Sequence, residues 1–205
     1  MWNWSETKIN LILIRHGETP SNSFGRYLGR TDEELSEAGK EKVITNKLAG
    51  KYPKRELVFS SPMKRCIQTA ELIYNCGNPI LIEEWREMDF GRFEGKNYEE
   101  LKEDRQYQAW IDSNGVLPFP EGESREEFQI RCKKGLKKLL GSLEQEEREV
   151  PPTAAAIVHG GSIMALLSAY CGGDYFDYQC KNGEGYECTL IRRGRELRME
   201  IIRKL

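Results

Sequence analysis

Apolar runs along the chain stop repeatedly at polar or glycine-rich turns. Ile9–Ile14 reads as a buried strand and ends in Arg15, His16 and Gly17. Residues 57–60 and 79–82 give two shorter strands, and 153–158 gives a fourth that ends in His159-Gly160-Gly161. Helical spacing fills the intervals. Residues 36–50 carry Ala38, Val43, Lys47 and Leu48, with Ser36 as N-cap and Gly50 as a stop. Ser61-Pro62 is expected to open a helix to about Asn75, with serine capping and proline first, where its missing N–H costs nothing. A short helix is expected at 97–104, in an otherwise irregular region. The longest predicted helix, 124–147, begins with a Ser124/Glu127 capping box and places Phe128, Cys132, Leu136, Leu139, Leu140 and Leu143 on one face. Lys133, Lys134, Lys137 and Lys138 fall largely off that stripe and read as a solvated face. Pro151-Pro152 interrupts the chain, 161–171 forms a helix, and 185–192 with 196–203 closes as a hairpin around Arg193-Gly194.

Strand alternating with helix predicts an α/β fold with a parallel sheet covered on both faces, because the strands are continuously apolar rather than alternating. In open sheets of this kind ligands bind beyond the carboxyl ends of the strands. His16 and His159, the only histidines in the chain, both occupy such ends and should face one crevice.

Composition narrows the function. The 205 residues suit one domain, 1–205, and 39% apolar with 31% charged residues suits a well-solvated globule. A net charge of −2 argues against general nucleic-acid binding or a membrane-surface role. No apolar run approaches the ~18 residues that cross a bilayer. The start, MWNWSETK, lacks the features of a signal peptide, so a cytoplasmic location is expected. The six cysteines form no CxxC pair and have no nearby histidine, which predicts reduced, mostly half-buried thiols and no metal site.

The crevice itself is basic. Arg65 lies in the first turn of the helix after the second strand, and a helix N-terminus already presents free N–H groups. Together with Arg15 and the two histidines it makes a nest for a compact anion, and guanidinium donors match phosphate oxygens. Neighbouring arginines keep His16 neutral and nucleophilic, with the turn at Gly17 available to accept from its other ring nitrogen. Attack on phosphorus would give a phosphohistidine, with Arg15, Arg65 and His159 stabilising charge on the equatorial oxygens. A carboxylic acid must protonate the leaving oxygen, and spacing alone leaves Glu83, Glu84, Glu87, Asp89 and Glu94 open.

LIRHGET, SSPMKRCIQTA, LIEEWREMDFGRFEG and IVHGGSI, in that order, resemble the motifs of the histidine phosphatase superfamily, with its phosphoglycerate mutase-like fold. The resemblance spans residues 9 to about 170. It implies a three-layer α/β/α sandwich with a mostly parallel central sheet, and a phosphohistidine mechanism without metal or cofactor. By motif it implies His16 as nucleophile, Arg15, Arg65 and His159 as phosphate ligands, Asn22 and the Gly160 N–H as further contacts, and Glu87 as proton donor. Glu18 and the GRTDEELSEAG segment are read as structural, Arg26 and Arg30 as solvated, with substrate contact as the alternative, and Cys66 as turned into the core. Tyr98, Trp110 and Phe119 are read as core packing, with a lid as the alternative.

WREMDFGRFEGKNYEEL with PEGESREEFQIR resembles the phosphatase branch, most closely the α-ribazole phosphatases, which act in cobalamin biosynthesis. The alternative implied by the same family is a cofactor-dependent phosphoglycerate mutase. It is disfavoured by Leu28, where mutases tend to place a polar threonine, and by the compact segment between acid and second histidine. A non-catalytic phospho-ligand binder is the third reading. The expected partner is a small phosphate ester rather than nucleic acid or a membrane, and a homodimer is compatible with the sequence.

Overall fold

The apolar runs assemble into one six-stranded sheet. The computed structural model describes residues 7–144 and 153–205. Its strands are β1 (Thr7–Arg15), β2 (Leu57–Ser60), β3 (Ile80–Leu81), β4 (Ala154–Val158), β5 (Gly185–Arg193) and β6 (Glu196–Lys204). The helices are α1 (Pro20–Ser23), α2 (Glu37–Leu48), α3 (Lys64–Tyr74), α4 (Tyr98–Leu101), α5 (Arg105–Asp112), α6 (Arg125–Glu144) and α7 (Gly160–Cys171). Strand order is β3-β2-β4-β1-β5-β6. The first four run parallel, and β5 pairs antiparallel with both β1 and β6.

Alternate residues of the central strands feed two cores, as a sheet buried on both faces requires. Leu11, Leu13, Ala154, Ala156 and Val158 pack with Phe128, Cys132, Leu136 and Leu139 of α6 and with Ile163 and Leu166 of α7. Ile12, Ile14, Ala155 and Ile157 pack with Val43 of α2 and with Cys66, Ala70 and Ile73 of α3. This is the expected α/β/α sandwich. The stripe predicted for α6 is buried at all six positions, and its capping box forms: Glu127 N–H donates to Ser124 Oγ (3.2 Å) and Ser124 N–H to Glu127 Oε2 (2.9 Å). The expected extension of α6 to Glu147 and the Pro151-Pro152 break lie outside the described residues.

Four expectations need correction. α3 begins at Lys64 with Met63 in the cap position and no side-chain cap, not at Ser61-Pro62. The Ser61 hydroxyl is drawn elsewhere, as described below. β3 is two exposed residues at the sheet edge, too little to call buried. The irregular stretch after α4 contains α5, capped by the Asp104 carboxylate accepting from Gln106 and Tyr107 N–H. The cysteines are more buried than expected, with Cys66, Cys132, Cys180 and Cys188 inside and Cys76 and Cys171 half-buried, all six as free thiols.

One glycine fixes how α2 meets the loop after β1. A Cβ at Gly39 would lie 2.1 Å from the Glu18 carbonyl oxygen, so only glycine permits the approach. That carbonyl accepts from Ser36 N–H at 2.9 Å. Glu18 is therefore structural through its backbone.

Candidate active site

β1 and β4 are adjacent and parallel, with Arg15 paired to Val158, so their next residues emerge side by side. His16 and His159 are those residues, and their ring centroids lie 5.2 Å apart. The convergence expected from two matching strand ends is present. Both side chains are almost wholly buried, at 3% and 0% exposure.

The local sequence fixes each ring. His16 Nδ1 lies 2.7 Å from the Gly17 carbonyl oxygen, an acceptor, which places the proton on Nδ1 and leaves the Nε2 lone pair free. Gly17 N–H in turn donates to Thr69 Oγ1 (2.9 Å), tying the turn to α3. His159 Nε2 meets Ser61 Oγ at 2.8 Å, with Cys66 Sγ at 3.6 Å from the same nitrogen. Ser61 is thus used as a histidine partner rather than as a helix cap. Cys66 is in the core as expected, and burial pushes its thiol up to about 12.

The two arginines converge on the same place. Arg15 Nη1 donates to the Cys180 carbonyl (2.8 Å), and Arg65, fully buried, donates to the carbonyls of Thr31 (2.8 Å) and Gly29 (3.1 Å). The Nε of each is buried with no partner, and neither pairs with a carboxylate among the described residues. Burial first, then the charges of Arg65 and Arg15, hold the His16 imidazole well below its ordinary pKa. His159 is lowered likewise by burial, Arg65, His16 and Arg15. Both rings are neutral at physiological pH.

Glu87 approaches from the segment after β3. Its Oε2 lies 3.9 Å from His159 Nδ1, and its Oε1 accepts from Met88 N–H at 2.9 Å. Burial raises its pKa above the usual carboxylate range, only partly opposed by that N–H and by Arg65 and Arg15. A Cβ at Gly161 would lie 2.6 Å from Glu87 Oε1, so the start of α7 is shaped to admit the carboxyl.

These groups surround a cavity of about 280 Å³ whose wall includes Arg15, His16, Asn22, Leu28, Glu87 and Gly160. α7 opens on it at Gly160, with His159 giving no side-chain cap to the first N–H groups, an arrangement suited to an anion. Arg65 and His159 stand behind this wall. Of the predicted site residues, all seven are therefore gathered in one region, in two tiers. Arg26 is partly solvated, pairs with Glu100 at 2.8 Å and also lines the cavity, which fits both readings of it. Arg30 is exposed and pairs with Asp89. No group of three His, Cys, Asp or Glu side chains suited to a metal ion occurs among the described residues.

The model of the histidine phosphatase superfamily (branch 1) matches residues 11–199. The chain belongs to the histidine phosphatase superfamily. It is 31% identical to phosphoserine phosphatase 1 of Hydrogenobacter thermophilus, over 85% of this chain and 83% of that one. It is 30% identical to phosphoglycerate mutase-like protein 4 of Arabidopsis thaliana, over 76% and 68%. A crystal structure of an Escherichia coli protein described as a candidate alpha-ribazole-5'-P phosphatase superposes with a TM-score of 0.77 at 22% identity, covering 94% and 95%, and shares the fold. Membership places the chain among phosphatases and mutases.

Sequence reasoning missed several residues on which this histidine phosphatase site depends. Asn182 Nδ2 donates to the carbonyls of His16 (3.1 Å) and Gly17 (3.3 Å) and to Asn22 Oδ1 (3.0 Å), joining the His16 loop to Asn22. Arg131 on α6 donates to the carbonyls of Glu84 (2.8 Å), Arg86 (2.8 Å) and Glu87 (3.2 Å), fastening the segment that carries the acid. Neither carries a local signal, since each acts on residues more than forty positions away. No described helix is long and apolar enough to cross a membrane.

Proposed function

We propose that the protein is a metal-independent phosphomonoesterase that hydrolyses a small-molecule ester through a phosphohistidine on His16. The observation that supports this most is the pairing of a neutral His16, its Nδ1 fixed on the Gly17 carbonyl, with the buried Arg65 and half-buried Arg15, which lack carboxylate partners among the described residues. The phosphate enters between Arg15, Arg65, Asn22, His159 and the Gly160 N–H. His16 Nε2 attacks phosphorus, the P–N bond forming as the ester P–O bond breaks, and Glu87 gives its proton to the departing oxygen. The resulting Glu87 carboxylate then takes a proton from water, which attacks phosphorus and releases His16. Positive charge that other phosphatases draw from metals comes here from guanidiniums and a helix N-terminus.

The substrate is read as the phosphate ester of a small alcohol, with α-ribazole 5′-phosphate of cobalamin biosynthesis as the candidate carried by the loop motifs. Phosphoserine is the substrate named for one relative described above. A phosphoglycerate mutase is the alternative, and Leu28, apolar and on the cavity wall, speaks against it. A purely phospho-binding role leaves the Glu87 acid without a purpose. The chain is read as a single cytoplasmic domain that engages neither nucleic acid nor membrane, with a homodimer allowed.

The test is chemical. With a phosphomonoester and a chelator present, an alkaline quench should trap acid-labile phosphate on His16, and 3-phosphoglycerate should yield free phosphate rather than 2-phosphoglycerate. His16→Ala should lose about 10⁴-fold or more in kcat. Undiminished phosphate release by that variant would falsify the proposal.

A further inference from the structure

A second cavity of about 180 Å³ adjoins the first, and the two share Tyr27, Glu87, Phe90, Gly161 and Met164 in their walls. The rest of its lining is Trp110, Phe119, Tyr175 and Phe176 with Met88, Gly115 and Arg125. Glu87 stands at the junction. On the proposed function, the ester oxygen must lie within hydrogen-bond reach of Glu87, on the side of phosphorus away from His16. Whatever that oxygen carries therefore continues past Glu87 into the aromatic compartment.

The compartment selects by chemistry. Trp110, Phe119 and Phe90 form a continuous set of ring contacts, with centroids 4.9 Å apart for Trp110–Phe119 and 5.1 Å for Phe90–Phe119. Arg125 is held over the rings of Tyr175 and Phe176, at 4.7 and 5.0 Å, and donates to the Asn114 carbonyl. The hydroxyl of Tyr175 donates to Gly161 and that of Tyr27 is bonded to Tyr107. One polar group remains unmatched: Trp110 Nε1 is buried without a hydrogen-bond partner. A buried donor without an acceptor is costly, and a ligand atom can relieve it. A dry apolar cavity of about 150 Å³ takes a benzene ring.

We infer that the aromatic compartment is the leaving-group site, and that it takes an alcohol bearing one compact, uncharged aromatic ring with an acceptor atom for the Trp110 N–H. An amino-acid head group, with its ammonium and carboxylate, would have to leave water for a wall whose charged groups are Glu87, engaged with the ester oxygen, and Arg125, stacked on two rings.

Benzyl, pyridylmethyl and ethyl phosphates carry alcohols of similar acidity, so their comparison isolates recognition from chemistry. kcat/KM for benzyl phosphate should exceed that for ethyl phosphate roughly 30-fold, and O-phosphoserine should fall below benzyl phosphate. Phe176→Ala, a half-buried position outside the main core cluster, should reduce the benzyl-to-ethyl ratio about tenfold. Trp110→Phe should reduce the pyridylmethyl-to-benzyl ratio. Equal rates for benzyl and ethyl esters, a preference for phosphoserine, or ratios unmoved by both variants would overturn the inference. Calorimetric binding of benzylphosphonate and ethylphosphonate separates this from the catalytic reading. Tighter benzylphosphonate binding without turnover of any ester would sink the phosphatase and keep the pocket, whereas equal binding sinks the pocket.

Discussion

The two ends of the parallel strands bury arginines in opposite ways. At the amino end, Arg55 meets Glu187 at 2.5 Å, Arg203 closes on the other carboxylate oxygen at 2.8 Å, and Arg55 also donates to Asn10 (2.8 Å). At the carboxyl end, Arg15 and Arg65 bond main-chain carbonyls and pair with no carboxylate among the described residues. The acids differ in the same sense. Burial works against the charge of Glu187, but bonds from Arg203, Arg55 and Asn10 outweigh it and hold that carboxyl below the usual range. Burial prevails at Glu87 and raises it. An orphaned nitrogen does not by itself distinguish the ends, because Arg55 Nε also lacks a partner. The missing carboxylate does. One end has its charges paired, and the other leaves its arginines without a carboxylate among the described residues, as the proposed function requires of a site for an anion.

The largest effect should come from Arg65→Met. On the proposed mechanism it should cost about 10³-fold in kcat/KM by removing a fixed positive charge from beside the transferring group. It should also lower stability by about 1–3 kcal/mol, because the carbonyls of Thr31 and Gly29 lose their donor. A normal rate in this variant would erase the contrast between the ends. Next is Glu187→Leu, which strands Arg55 and should destabilise the fold by about 3 kcal/mol in urea denaturation, with kcat/KM unchanged. Lost activity there would show the two ends to be coupled.

The smallest of the three is Glu87→Gln, with about a 10²-fold loss on esters with poor leaving groups and the least loss on good ones. Its signature is in the pH profile. Glu87 must be protonated, so wild-type kcat/KM should hold below its raised pKa and fall as pH rises through it. His16 must be neutral, so the acid limb should lie below the ordinary imidazole range. The variant should lose the alkaline limb. It should also gain stability over wild type as pH rises, since a raised folded-state pKa favours the fold below the unfolded value and loses that advantage through the folded one. An unchanged alkaline limb would assign the proton to another group.

Much of the site was legible because chemistry-bearing residues sit at the ends of periodic runs. His16 follows an apolar strand and His159 follows another, so burial periodicity alone places both at one edge of a sheet. The α6 stripe and its capping box were equally readable, since they depend on residues three and four apart. Ser61 misled for a physical reason: a serine before a proline satisfies the local rule for a helix cap, yet a buried imidazole nearby in space competes for its hydroxyl.

The sequence by itself determined most of the sheet's strands, the stripe of α6, the cover on both faces of the sheet and the arginine–histidine composition of the crevice, because these follow from short-range periodicity and side-chain chemistry. Only the tertiary structure decided that Asn182 braces the His16 loop, that Arg131 fastens the Glu87 segment, and that an aromatic-rich compartment opens beside Glu87. Those depend on contacts between residues far apart along the chain, where spacing carries no information until the strands are ordered.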